Sequence, residues 1–528
     1  MNLVLNIIAA TVLAVRGLVI PVEFEDLKFS DGASGIAAIA EGGAAYFNRE
    51  KLDVGEITFD VSPIYSEPES FRKFGANSSS TKDALFYSAV QNVCRKIDKE
   101  TDFSKYEYIL FAVPGMSEPD SGEEDRFWPQ ASSLAEVGAS IVLDRKKIDR
   151  YAVFCELGPD GKPAGIGDFI HETGHLLGLQ DLYDTDGARS GGLSPGLGGE
   201  SVLMDTGNKA GLGRTPPRLC AAELDEIAPK RGSALEKRRY SLPDISGENG
   251  GFLRMNTSIE GRYYLIENRD GLDVTCIDKS DTPAGESHFQ KRVITAKERW
   301  ELNEINCRPD RMCAENVVRG LKDPGRCVKL DSLAITDIRQ EGGDCISFNV
   351  IEPVALKSLN TFQDCAIIEW ESGIGDEMIT SAEAAWWMDG EKLRLEKAAS
   401  GGNGRYSVFL KGLKSASLYF VSLRLTTTEG ETFQLTSPFT TRSIQEGAIA
   451  FILIPSEVRN PDGSFKKGSG MPLIVYNAAG TEDIKWTFNG IPVGKDGSFT
   501  VEGSGTLKAV ISYSDGSSET IIKRINVK

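Results

Sequence analysis

The stretch GIGDFIHETGHLLGLQDLYDTDG, residues 165–187, carries two of the only three histidines in a chain of 528 residues. They are His171 and His175, four positions apart, with Glu172 beside the first; the third, His288, stands alone. Ile166, Phe169, Ile170, Leu176 and Leu177 follow a helix-like apolar pattern through the stretch, which predicts a helix there. Residues i and i+4 share one face of a helix, so both imidazoles can reach one ion. Glu172 then leans to the side, within reach of a water on that ion but not of the ion. Gly178 can take a positive φ and end the helix, after which the chain turns back and Asp181 arrives as an oxygen ligand.

HExxH on a helix is the arrangement of zinc-dependent proteases. A catalytic zinc takes three protein ligands and keeps one position open. The longer pattern HExxHxxGxxD therefore predicts His171, His175 and Asp181 as ligands of Zn2+ and Glu172 as the catalytic general base. Downstream, ESVLMDTGN (200–208) places Met204 before a glycine-rich turn, a candidate methionine floor beneath the metal. Tyr183 is read as a packing residue. Asp184 and Asp186 have the alternating spacing of calcium loops; we prefer a solvated turn, with a structural Ca2+ as the alternative. His288 is read as a surface histidine.

The rest of the chain divides by texture. LVIPVEF (18–24) and EYILFAVPG (107–115) read as buried strands, the second ended by Pro-Gly, and DALFYSAVQNVCRKI (83–97) as a helix burying Leu85, Phe86, Ala89, Val90 and Val93. Alternating strands and helices to about residue 235 predict an α+β catalytic core, with a β-rich extension to 355. Within that extension GRYYLIENRDG (261–271) reads as a strand and turn, and 294–307 as helical or irregular. From 356 the chain reads as two all-β sandwiches, 356–443 of fibronectin type III-like character and 444–528 immunoglobulin-like. WWMDGEKL (386–393) and WTFNGIPV (486–493) share Trp-x-x-Asx-Gly, a core tryptophan followed by a hairpin turn.

With these motifs in place, HETGHLLGLQDLYDTDG followed by SVLMDTGN resembles the immune inhibitor A family of secreted bacterial zinc metalloproteases, which are metzincin-like. GLVIPVEFEDLKF, FDVSPIY, DRFWPQ, GRTPPRLCAAELDEI and YYLIENRDG fit in the family's order, over roughly residues 16–350. The resemblance implies a metzincin-like zinc protease domain, Zn2+ on His171, His175 and Asp181, Glu172 as the base, and protein or peptide substrates. It also implies a structural Ca2+ and C-terminal β-sandwich modules; these could bind protein, glycan or the cell envelope, or serve only as spacers. Gln130, where family members often have histidine after Trp-Pro, departs from the pattern, as does GLDVTCIDKS (271–280), which lacks a Tyr-His pair. The alternative function is an adhesin or binding protein retaining a degenerate protease domain; the intact Glu172 argues against it.

Composition bounds these readings. A net charge of −18 argues against nucleic acid as a partner. MNLVLNIIAATVLAV (1–15) reads as an export signal lacking a basic n-region, with Val12 and Ala14 suiting the cleavage site; the alternative is a short buried element. The export signal leads us to expect a secreted or cell-surface location, and no other apolar run is long enough to span a bilayer, so the mature protein is expected to be soluble. No stretch before RGLVIPVEF is long enough to be a propeptide, so either latency is controlled otherwise or the chain begins further upstream. Of nine cysteines, Cys307, Cys313, Cys327 and Cys345 fall close together, a spacing compatible with one or two structural disulfides.

Overall fold

A computed structural model describes residues 15–30, 32, 34–78, 82–135, 137–183, 197–278, 313–342, 344–442, 451–454, 458–460, 463–476, 481–494, 497–514 and 516–527. The expected export signal, Asp184, Asp186, His288, the segment 294–307 and Cys307 lie outside the described residues, as does the side chain of Cys313. The chain forms two compact units, 1–324 with 337–348, and 325–336 with 349–528. Strands predominate, arranged in several separate sheets. No described helix is long and apolar enough to cross a membrane.

The first unit opens with a mixed sheet. Its strands are β1 (Val15–Glu23), β2 (Ile57–Val61), β3 (Tyr65–Ser66), β4 (Tyr108–Met116) and β5 (Gln130–Ser133). A small hairpin of β6 (Ile141–Leu143) and β7 (Lys146–Ile148) stands outside it and leads to β8 (Arg150–Leu157). The sheet order is β2-β1-β4-β8-β5, with β3 pairing off the end of β1. All neighbours run parallel except β5, which pairs antiparallel with β8 and forms one edge.

Both faces of this sheet are buried, which explains why its strands read as continuous apolar runs. Leu110, Ala112, Ala152 and Phe154 face one side, where α1 (Ser34–Arg49), α5 (Gly167–Leu177) and α6 (Ala221–Ile227) join the same core. Ile109, Phe111, Val113, Val153 and Cys155 face the other, covered by α2 (Phe71–Gly75) and α3 (Phe86–Ile97), while the one-turn α4 (Glu118–Ser121) follows β4. Phe169 of α5 is fully buried, edge-on to Phe59 at 4.9 Å and to Phe154 at 5.1 Å. A Cβ on Gly43 of α1 would come within 2.2 Å of the Phe169 ring, so glycine there lets α1 approach α5.

Two expectations change. The Pro114-Gly115 pair does not end its strand: β4 runs on to Met116 through a register shift, because Gly115 takes a φ of 80° and absorbs the irregularity. Leu85 is 41% exposed, since α3 begins one residue after it and only Phe86, Ala89, Val90, Val93 and Cys94 point inward.

Beyond the mixed sheet, β9 (Gly232–Ala234), β10 (Arg239–Pro243), β11 (Phe252–Asn256), β12 (Arg262–Asn268), β13 (Leu272–Asp278) and β14 (Cys313–Leu321) follow. Five of them form the sheet β14-β13-β12-β11-β9. In the second unit, two four-stranded antiparallel sheets built from residues 354–440 enclose a core containing Trp370, Trp386, Tyr419 and Phe439. A separate core around Trp486, Phe499, Leu507 and Ile525 belongs to residues 452–527. Both repeated tryptophans are buried, and Asn489 and Gly490 take φ values of 50° and 83° in the turn between paired strands. Cys327 is a buried thiol in this unit and forms no bridge among the described residues.

The edge strand β5 is tied down by a buried carboxylate. Asp83 accepts hydrogen bonds from Trp128 N and Gln130 Nε2, both at 2.9 Å, while its second oxygen is buried without a donor. Burial pushes its pKa up to about 7, against the pull of those two hydrogen bonds. A folded-state pKa above the unfolded value means stability is fully present below pH ~4 and is lost as pH rises toward 7. Asp83→Asn is therefore expected to match the parent in denaturant melts at pH 4 and to exceed it by roughly 1–3 kcal/mol at pH 8.

Candidate metal centre

The site is assembled from α5 and the two segments that follow it. Phe169, Ile170 and Leu176 hold α5 in the core beside the sheet, and His171, Glu172 and Thr173 on the same helix are buried as well. The helix stops at Gly178, whose φ of 111° lets the Gly178 and Leu179 amides donate back to carbonyls of the last turn. The chain then reverses, and Leu182 N donates to Met204 O at 2.7 Å, bringing the 202–207 turn beneath the helix.

This route brings His171, His175 and Asp181 together. One Asp181 carboxylate oxygen lies 3.2 Å from His171 Nε2 and 3.3 Å from His175 Nε2. The imidazole rings stand nearly perpendicular, with centroids 4.9 Å apart. The three ligand atoms lie within 4.8 Å of one another.

Each imidazole is held from behind. His171 Nδ1 donates to the Leu203 carbonyl and His175 Nδ1 to the Leu179 carbonyl, both at 3.0 Å. A neutral ring protonated on Nδ1 carries its lone pair on Nε2, so both lone pairs point at the Asp181 oxygen. That oxygen is buried with no hydrogen-bond donor among the described residues. Three electron-rich atoms thus converge where only positive charge relieves their repulsion.

The electrostatics say the same. Burial opposes protonation of His171, yet Asp181 beside it and the Glu172 charge carry its pKa up to about 9, and His175 shifts upward for like reasons. Burial would raise Asp181, but the two imidazoles hold it well below the usual carboxylate range. The metal-free cluster seeks protons; a divalent cation answers the same demand with one particle. Two imidazole nitrogens and one carboxylate oxygen, with ring orientation set by backbone acceptors, form a donor set suited to zinc.

Glu172 is 4% exposed, on the same helix as both histidines, and burial pushes its carboxyl up to about 7. Met204 is fully buried, and its sulfur lies against Gly174, where a Cβ would approach it to 2.9 Å. The thioether therefore packs on the helix between the two histidines. Tyr183 is partly buried; burial and the Asp181 and Glu172 charges raise its pKa.

Several contributors were not foreseen. The Leu203 and Leu179 carbonyls orient the rings, and no side-chain pattern reports a backbone acceptor. Glu223, buried on α6, accepts from Met204 N at 2.8 Å and from Cys220 N at 2.6 Å, pinning the turn that carries Leu203. Its spacing from Cys220 is that of a capping box, a readable signal within GRTPPRLCAAELDEI. Arg150 Nη2 donates to the His175 carbonyl at 2.5 Å, linking the helix end to β8.

No family model matches the chain, and no curated protein matches it. Among solved structures, a two-domain fibronectin type III segment of chicken tenascin is 12% identical, covering 33% of this chain and 99% of its own, with a TM-score of 0.15. A chain described as a myokine structure is 19% identical over 17% of this chain and 92% of its own, at a TM-score of 0.14. A Bacteroides ovatus protein of a mixed-linkage glucan utilization locus is 12% identical over 32% and 44%, at 0.12.

Equilibrium dialysis with zinc is expected to give one ion per parent chain and none for His175→Ala. Glu223→Ala is expected to lose about 2–4 kcal/mol of stability in a denaturant melt, because two buried amides lose their acceptor, and to bind zinc about 10–100-fold more weakly, because the turn that carries the Leu203 carbonyl is released.

Proposed function

We propose that the chain is a zinc-dependent endopeptidase, exported from the cell or displayed on its surface, that hydrolyses peptide bonds of protein substrates. The observation that carries this reading is the convergence of His171 Nε2, His175 Nε2 and one Asp181 oxygen beside the buried carboxyl of Glu172. The resemblance of HETGHLLGLQD and SVLMDTGN to the immune inhibitor A proteases supports the same reading.

His171, His175 and Asp181 would hold the ion, three protein ligands being the number a catalytic zinc uses. Bound there, zinc supplies a Lewis acid that polarises a carbonyl and lowers the pKa of water to about 7. The remaining work falls to the chain. Glu172 takes the proton of the attacking water and returns it to the departing amide nitrogen, so carboxyl and carboxylate must alternate near neutral pH. A carboxyl pushed up to about 7 by burial has that property, and a nearby cation draws it toward the ionised form that begins the cycle. The edge strand β5 offers backbone groups with which an extended peptide can pair, leaving the scissile bond near α5.

Glu172→Gln keeps the shape of the site and removes the base. Casein cleavage by the zinc-loaded variant is expected to fall by about 10²–10⁴-fold, with zinc content unchanged. Zinc binding without cleavage by the parent would overturn the protease reading and favour a binding protein with a degenerate site. Cleavage that survives in the variant would remove Glu172 from the mechanism.

A further inference from the structure

A second concave site lies in the other unit, with no connection to the histidines. A groove of about 510 Å³ is lined by the strands Cys365–Ser372 and Arg405–Lys411 and by Arg459, Asn460, Gly463 and Lys466. Its volume falls within the ~300–1,000 Å³ usual for small-ligand sites. Trp370 and Tyr406 form its floor, stacked at 5.9 Å between centroids.

Among the described residues its walls carry four cations, Lys357, Arg405, Arg459 and Lys466, against two acids, Glu369 and Glu371. Both ion pairs at the strand wall share one acid: Lys357 lies 2.7 Å and Arg405 3.7 Å from Glu371. Glu369 accepts from Ser358 Oγ at 2.7 Å. Across the groove, Arg459 and Lys466 are half-buried, Arg459 lying over the Phe465 ring, and neither forms an ion pair among the described residues. Among the described lining residues the charge balance is positive, against the general trend of a chain of net −18.

The wall chemistry selects the kind of anion. Guanidinium forks from Arg405 and Arg459 suit planar or trigonal oxyanions, and Ser407, Asn460 and the Glu369 carboxylate offer the mixed donors and acceptors that hydroxyl groups need. The strand Cys365–Ser372 is paired on both sides, by Val354–Thr361 and by Arg405–Lys411. No free backbone edge therefore opens there for an extended peptide, and recognition rests on side chains.

We propose that this groove binds an anionic carbohydrate, a short stretch of polysaccharide bearing carboxylate or sulfate groups. Arg459 and Lys466 take the charged substituents, while Ser407, Asn460 and Glu369 bond the ring hydroxyls. The proposal is independent of the zinc site.

The test is calorimetric titration of the full chain, and of an Arg459→Ala, Lys466→Ala double variant, at low salt. The probes are an oligogalacturonate, a heparin oligosaccharide, neutral maltohexaose and a poly-glutamate peptide. Binding of one or both acidic sugars, weakened about 10-fold or more in the double variant and absent for maltohexaose, is expected. The oligogalacturonate and heparin arms distinguish carboxylate from sulfate as the preferred group. An unchanged melting temperature shows that the double variant remains folded. If it unfolds, Arg459→Gln alone is titrated in its place. Failure to bind either acidic sugar, equal binding of maltohexaose or poly-glutamate, or indifference to the substitutions would each overturn the proposal.

Discussion

Two hydrogen bonds to backbone carbonyls set everything else in the metal centre. By donating Nδ1–H to Leu203 O and Leu179 O, His171 and His175 commit their Nε2 lone pairs to one point in space. Without those acceptors either ring could flip or change tautomer, and the i, i+4 spacing would guarantee only nearness. With them, the Asp181 oxygen faces two lone pairs and the cluster requires a cation. This demand is built into the backbone path, which no exchange of one side chain can supply.

The fold exists at this point to hold that path. A parallel sheet buried on both faces fixes α5 through Phe169, Ile170 and Leu176, while Gly43 removes the side chain that would hold α1 away. Gly178 then permits the reversal that a β-carbon would resist. The turn carrying Leu203 and Met204 is anchored by Glu223 from α6, so one buried carboxylate supports an acceptor that in turn orients a ligand. Rigidity at the His171, His175 and Asp181 cluster thus derives from a helix, a reversal and a pinned turn that meet over less than sixty residues.

Much of this was legible because local rules dominate it. Apolar periodicity placed β1, α3 and β4, the i, i+4 histidines placed two ligand atoms on one face, and Gly178 announced the reversal. Reading failed where a longer-range contact decided the outcome. Pro114-Gly115 carries the pattern of a terminator, yet pairing with β8 carries β4 past it to Met116. Leu85 fits the helical pattern, but α3 starts after it and leaves it to solvent. The Leu203 carbonyl is invisible in a sequence, because its role is fixed by a hydrogen bond spanning 32 positions. Glu223 could have been suspected from its capping-box spacing, although nothing local shows that it also reaches Met204 N.

X-ray absorption spectroscopy of the zinc-loaded chain reads the ligands of the ion itself. If one ion sits on two imidazoles and one carboxylate, the spectrum will show nitrogen and oxygen scatterers at ~2.0–2.2 Å, with the outer-shell signature of two imidazoles that falls to one in His175→Gln. A sulfur scatterer near ~2.3 Å, or a spectrum unchanged by that substitution, would place the metal elsewhere in the chain.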